Sequence, residues 1–175
     1  MKARRQQGAS QLEVVLVVIL ILILISTAIK QVALFSDESE KLRVEAVLDS
    51  VRTSINSLVS EHMLADTMYM LQQYDGGNPI GLLAKTPPGY EGVRNDSDAL
   101  SAIGQWSFHR DRKHLVYRVK DVDKLHNSAA NVAEISFRLN LMYRDKNGNQ
   151  RYDQGVDDAQ GLALESVAAF EWLSE

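Results

Sequence analysis

The N-terminal part of the chain contains an apolar block without any polar interruption. Every residue from 14 to 25 is Val, Leu or Ile. A globular core does not concentrate aliphatic residues in this way, so we expect a helix that is apolar on all sides and faces lipid or other helices. Residues 12–29, at about 1.5 Å per residue, are just long enough for a hydrocarbon core of roughly 30 Å. The pattern therefore predicts a transmembrane helix.

Beyond the block, apolar residues recur in steps of three and four, which is typical of one face of a helix. No glycine or proline occurs between Ala9 and Asp75, so we expect one helix that runs nearly to Tyr74. Its length would be on the order of 90–100 Å. The apolar face comprises Leu42, Ala46, Val47, Val51, Ile55, Leu58, Val59, Met63 and Leu64.

Apolar and polar residues alternate in the C-terminal part of the chain, and this alternation predicts strands. Residues 75–79 are strong turn formers that end the helical pattern. Alternation over 135–143 gives the clearest strand, with one apolar face. Weaker strand patterns lie at 105–108, 115–119 and 167–173. Three or four antiparallel strands against the second half of the helix predict an α+β fold, a long N-terminal helix packed on a small antiparallel sheet.

Charges flank the apolar block. Lys2, Arg4 and Arg5 precede it, which favours a cytoplasmic N-terminus. Glu13 lies at the edge of the block, where an unpaired carboxylate in lipid costs a few kcal/mol. An ionisable residue in this position indicates a functional role and requires a cationic partner.

The junction between leader and block resembles the class III signal of type IV pilins and pseudopilins. The resemblance covers residues 4–30 and depends on the run Gly8, Ala9, Ser10, Gln11, Leu12 and Glu13. It implies that a prepilin peptidase cuts after Gly8 and methylates Ala9. It also implies that Glu13 acts in assembly, neutralised by the amine of Ala9 on the same or a neighbouring subunit.

Several features depart from the common pilin pattern. The mature chain would begin with Ala9, Lys30 stands where many members have proline, and there is no cysteine for a C-terminal disulfide. These departures favour a minor pilin or pseudopilin of a type IV pilus or type II secretion machine, with a pilus of the mannose-sensitive haemagglutinin type as a further possibility.

The resemblance also implies a domain organisation and a set of partners. We expect a leader at 1–8, a transmembrane or filament-core helix at 9–30, an amphipathic helix at 31–74 and an exported domain at 75–175. Expected partners are other pilins, prepilin peptidase and an inner-membrane assembly platform. The location would be a single pass through the inner membrane before assembly, and a periplasmic or cell-surface filament afterwards.

Two other interpretations of the N-terminus stay open. Residues Ser26, Thr27 and Ala28 form an acceptable cleavage site of an ordinary secretory signal. A plain single-pass anchor is the other. Either would make the chain a secreted or membrane-anchored calcium-binding interaction module that does not polymerise.

A segment near the C-terminus has the spacing of a calcium loop. Oxygen side chains recur at loop positions one, three, five and nine, position seven could offer its backbone carbonyl, and Asp157 or Asp158 would close the shell. The spacing resembles the Asp-x-Asn-x-Asn loops of extracellular modules and of some pilins. An Asn-Gly turn between strands would explain the same residues. The candidate ligands are Asp145, Asn147, Asn149, Arg151 through its carbonyl, Asp153 and Asp157.

Composition narrows the function classes. The net charge of −4 disfavours a nucleic-acid partner. The absence of cysteine excludes disulfides and thiol catalysis. We find no hydrolase, zinc-protease or phosphate-loop motif, so an enzyme is not expected. His109 and His114 flank a charged turn, and we expect them to be solvated turn residues rather than a metal pair.

Overall fold

The structure is a computed structural model that describes residues 11–98, 100–120, 123, 125–127 and 134–173, with the side chains of the first helix at 13–26 and 40–64. That helix, α1, spans Gln11–Leu64 and has 54 residues. The chain divides into two compact units, Met1–Arg43 and Val44–Glu175.

In the first unit, the side chains of residues 14–25 are each 46–60% exposed, so the apolar surface continues around the helix. Within the described part of the chain, no helix is long and apolar enough to cross a membrane. This finding overturns the predicted transmembrane helix over 12–29, and with it the predicted single-pass location in the inner membrane.

In the second unit, one stripe of α1 is buried. Val44, Leu48, Val51 and Ile55 are at most 4% exposed and follow one another at steps of four, three and four. The predicted face was partly wrong, because Leu42 and the last two apolar residues of the helix, Met63 and Leu64, are largely exposed. The buried residues therefore lie on a different face of the helix from Leu42, and the last of them, Ile55, comes before the helix ends at Leu64.

The helix ends ten residues before the predicted limit at Tyr74. Asp66 has a φ of +56°, a left-handed conformation that cannot continue an α-helix. The amide of Thr67 donates to the carbonyl of His62 at 2.9 Å and closes the last turn. A 3-10 helix, Met68–Tyr74, follows and buries Leu71 completely.

The predicted turn at 75–79 is anchored to the sheet. Gly76 has a φ of +65°, and its amide donates to the carbonyl of Leu139 at 2.8 Å. The Asp75 carboxylate accepts the amide of Leu141 at 2.9 Å. A second 3-10 helix, Pro79–Leu82, then begins with Asn78 accepting the amide of Ile80.

Seven strands follow, and they form two sheets. The strands are β1 Tyr90–Arg94, β2 Trp106–His109, β3 His114–Arg118, β4 Leu125–Asn127, β5 Glu134–Arg144, β6 Asp158–Ser166 and β7 Phe170–Trp172. Five of them form a sheet in the order β1-β2-β3-β5-β6, and β4 pairs with β7 alone. Because β1 runs parallel to β2 and the other pairs are antiparallel, the predicted small antiparallel sheet is wrong and the sheet is mixed.

Three of these strands had no counterpart in the sequence prediction. β1 lies in a segment rich in turn residues, and its Gly92 has a φ of +103°. β6 contains Gly161 in mid-strand and pairs along β5 from Arg144 opposite Asp158 to Phe137 opposite Ser166. β4 has only three residues. These strands are defined by their pairing with β2, β7 and β5 rather than by a clear alternation of their own residues.

The core lies between the buried stripe of α1 and one face of the five-stranded sheet. Along β5, Ile135, Phe137, Leu139 and Leu141 are buried and alternate with less buried residues. The rings of Trp106 and Tyr117 pack 4.8 Å apart on the same face. These residues and the α1 stripe belong to a single hydrophobic cluster.

We expect Leu139→Ala to lower the free energy of unfolding by about 2–5 kcal/mol, because it opens a cavity in the core. Leu139 is 1% exposed. Met142→Ala is the matched control on the same strand, since Met142 is 43% exposed. The control should cost about 0.5 kcal/mol or less. Urea denaturation followed by tryptophan fluorescence measures both, and equal losses would contradict the assignment of the buried face.

Candidate functional site

Of the residues predicted to act in processing and assembly, the structure describes Glu13 alone. Gly8 and Ala9 lie outside the described residues. Glu13 is described, and it is exposed at the start of the apolar stretch. Among the residues whose contacts are described, it forms no ion pair. Its proposed partner, the amine of Ala9, stays a prediction.

The candidate calcium loop connects β5 to β6. The carboxylate of Asp145 accepts the amides of Gly148 at 2.7 Å and Gln150 at 2.8 Å. Gly148 and Gln150 both have positive φ, of 74° and 61°. The first acid of the loop thus folds the backbone back over itself.

Two asparagines link this turn to Asp153. The side-chain amides of Asn147 and Asn149 donate to Asp153 Oδ2 at 2.8 and 2.6 Å. Their Oδ1 atoms accept backbone amides two residues further on, with that of Arg151 donating to Asn149 at 2.8 Å. The structure therefore brings Asp145, Asn147, Asn149 and Asp153 into one network. Arg151 enters it through its amide.

Asp157 lies at the base of the loop. It is 7% exposed, and its two carboxylate oxygens accept the amides of Lys146 at 2.9 Å and Asp153 at 2.8 Å. It therefore braces the base of the loop by satisfying two backbone donors.

The oxygen chemistry of the loop suits calcium, but its geometry fits only in part. In the ranges that the structure describes, no group of three or more His, Cys, Asp or Glu side chains is placed to hold a metal ion. The side-chain oxygens of Asp145, Asn147, Asn149 and Asp157 all accept amide hydrogens within the loop. Calcium binding therefore stays a prediction.

The hydrogen bonds also change the acidity of the loop. The amide of Gln150, and then that of Gly148, stabilise the charged carboxylate and hold the pKa of Asp145 below its ordinary value of 3.8. Because the folded-state pKa is the lower one, this stabilisation is complete above pH 3.8 and is lost as the pH falls through the folded-state pKa.

Two tyrosines pack beside the loop. The rings of Tyr143 and Tyr152 meet edge to face, with centroids 5.6 Å apart. Burial raises the pKa of each phenol, and the neighbouring charge of Asp157 raises it further. The hydroxyls therefore stay protonated at neutral pH. Next to them is an open cavity of about 380 Å³, with Asp66 and the Lys146–Asp158 ion pair at its wall.

A second polar cluster lies at the β2–β3 hairpin. His109 is 6% exposed, so the expectation that it is a solvated turn residue was wrong. Its Nδ1 lies 3.2 Å from Asp96 Oδ1 and 2.9 Å from Arg112 Nη2. Arg112 Nε also donates to the Asp96 carboxylate at 2.7 Å. The cluster ties the turn after β1 to the hairpin.

His114 faces His109 across the hairpin. Burial, and then the positive charge of Arg112, lower the pKa of His114 below its ordinary value. The side chain is therefore neutral at neutral pH. Sequence reasoning missed the burial of His109, because the acid that pairs with it lies 13 residues away in the sequence.

Searches with this chain found no matching family model, no matching curated protein and no matching solved structure.

We expect Asp157→Ala to lower the free energy of unfolding by about 2 kcal/mol, because it leaves the amides of Lys146 and Asp153 without an acceptor. Asp158→Ala is the matched control. Asp158 is exposed and paired with Lys146 at 2.7 Å, so its loss should cost about 1 kcal/mol or less. Urea denaturation of both variants is the measurement. A larger loss for Asp158→Ala would refute the bracing role of Asp157.

Proposed function

We propose that this chain is a minor pilin-like structural subunit of a type IV pilus or type II secretion pseudopilus. In this proposal it assembles with other subunits through its N-terminal helix. One observation carries the proposal: the twelve aliphatic side chains of residues 14–25 are exposed on every side of α1.

This apolar surface is stable only when it is buried against other apolar groups. Burying apolar surface stabilises by about 25 cal/mol per Å², and a lone soluble protein rarely exposes a contiguous apolar patch above a few hundred Å². A helix that is apolar all round needs neighbours on all sides. The interior of a bundle of such helices supplies them.

Glu13 gives the bundle its specificity in this proposal. A carboxylate enclosed by aliphatic side chains is costly unless a cation meets it. Cleavage by prepilin peptidase after Gly8 would create that cation, the methylated amine of Ala9 on the same or a neighbouring subunit. The unit from Val44 onward would remain on the filament surface.

We expect Glu13→Ala to reduce incorporation into filaments by roughly tenfold, which corresponds to the loss of about 1.4 kcal/mol at the subunit contact. Folding and export should be unchanged. The control is Glu61→Ala, since Glu61 is exposed on the same helix outside the apolar stretch. The measurement is the fraction of the subunit in sheared filaments relative to the whole cell.

N-terminal mass analysis of the same filaments tests the processing step. The expected N-terminus is N-methylated Ala9. A mature protein that retains Met1, or one that begins after Ala28, would refute the pilin-like proposal.

A second candidate function is a calcium-binding interaction module that does not polymerise. The observation that favours it is the convergence of Asp145, Asn147, Asn149 and Asp153 in one loop whose side chains offer hard oxygen atoms. Bound calcium would take over oxygens that now accept amide hydrogens. Its role would be to order the loop.

We expect saturating calcium to raise the Tm by roughly 5 °C relative to excess chelator, because a ligand that binds only the folded state stabilises it. Asp145→Ala should abolish the shift, and magnesium at the same concentration serves as the ion control. An unchanged Tm in calcium would exclude the calcium function and would leave the filament proposal intact.

A further inference from the structure

A groove of about 260 Å³ runs between α1 and β7 in the second unit. Its floor is apolar, from Val44 and Leu48, and the half-buried rings of Phe170 and Trp172 form one wall. We call it the acid–aromatic groove, because the exposed carboxylates of Glu45 and Asp49 line the other side.

The rim of this groove is negatively charged. Arg52 contributes the one cation of the lining and pairs with Asp49 at 3.0 Å. Glu45 forms no ion pair among the residues whose contacts are described. An occupant should therefore carry positive charge and a long apolar stem.

The hairpin between β2 and β3 presents such groups. Its tip, residues 110–113, contains three cations and one acid. Arg112 is held by Asp96, and Asp111 accepts the amide of Asp96 at 2.8 Å. Arg110 and Lys113 are exposed, and within the described contacts neither forms an ion pair.

The backbone holds Lys113 in a fixed direction. Its φ of +57° is a conformation that glycine and asparagine adopt more readily than lysine. Its stem lies over Gly76, where a Cβ would come within 2.6 Å of Lys113 Cδ. A side chain ordered in advance loses less conformational entropy when it binds.

We propose that the tip of one copy docks in the acid–aromatic groove of a second copy. Arg110 and Lys113 face Glu45 and Asp49, and one of the two cations lies against Trp172, whose ring attracts positive charge. Tip and groove are different surfaces of one chain, so the contact is heterologous and repeats from copy to copy. This inference rests on the proposed function, since it names a second surface through which assembled subunits meet.

Zero-length carbodiimide cross-linking of the full chain tests the contact, because it joins a lysine amine to a carboxylate in direct contact. A mixture of isotopically light and heavy copies separates links between copies from links within one. We expect a light–heavy peptide that joins Lys113 to Glu45 or Asp49. If this link forms only within single copies, or not at all, the inference is overturned.

Charge reversal gives the sharper test. The tip variant is Arg110→Glu with Lys113→Glu, and the groove variant is Glu45→Lys with Asp49→Lys. All four positions are exposed, so folding should be retained. Each variant alone removes one of the two reactive groups and sets like charges opposite each other, so links between the tip and groove regions of different copies should fall at least about tenfold. An equal mixture should restore them, because the tip of each variant then matches the groove of the other.

The matched control is Arg144→Glu with Lys85→Glu, which changes the net charge as the tip variant does, at exposed sites outside tip and groove. It should leave the cross-link yield unchanged. An equal fall in the control, or a mixture that fails to recover, overturns the contact.

The outcome also separates this inference from the proposed function. Filaments without the light–heavy link overturn the tip-to-groove contact alone. The link without filaments supports the contact and refutes filament assembly. The absence of both refutes both.

Discussion

Contact between one stripe of α1 and one face of the mixed sheet is the interaction on which the folded unit depends. Val44, Leu48, Val51 and Ile55 belong to one hydrophobic cluster with buried residues of β2, β3 and β5. Over residues 14–25 of the same helix, the aliphatic side chains are exposed on all sides. One continuous helix therefore combines a segment with a stripe buried in the folded unit and a segment whose apolar side chains are exposed. The functional proposal follows from this contrast.

Polar side chains stabilise the loops around the core by accepting backbone hydrogen bonds. Asp75 fixes the turn after the first 3-10 helix to β5, and Asp145 and Asp157 organise the long β5–β6 loop. Each carboxylate replaces an acceptor that a regular strand or helix would have supplied. Acids at the spacing of metal ligands can thus serve the backbone. For this reason the oxygen pattern alone does not establish a calcium site.

The charge distribution over the folded unit is uneven. The β2–β3 tip offers two cations without a described ion partner, and the groove between α1 and β7 offers carboxylates beside aromatic rings. Both surfaces belong to the unit that begins at Val44, and both are independent of the apolar segment. An assembly that used the tip and the groove would combine two kinds of contact. The apolar segment would make a non-directional hydrophobic contact, and the tip and groove would make a directional contact between charges that salt weakens.

The features that depend on local periodicity could be predicted from the sequence alone. These are the apolar block at 14–25, the helix through Leu64, the alternation along β5 and the turn at 75–79, because side-chain burial repeats with the period of each element. Tertiary structure decided the early stop of the helix, the mixed sheet with β1, β4 and β6, the burial of His109 and the bracing position of Asp157. The sheet pairing and the burial of His109 depend on partners elsewhere in the chain, such as β5 for β6 or Asp96 for His109, whereas the helix stop depends on the left-handed backbone at Asp66. Distant pairing leaves no periodic trace in the sequence, so only the folded chain could reveal it.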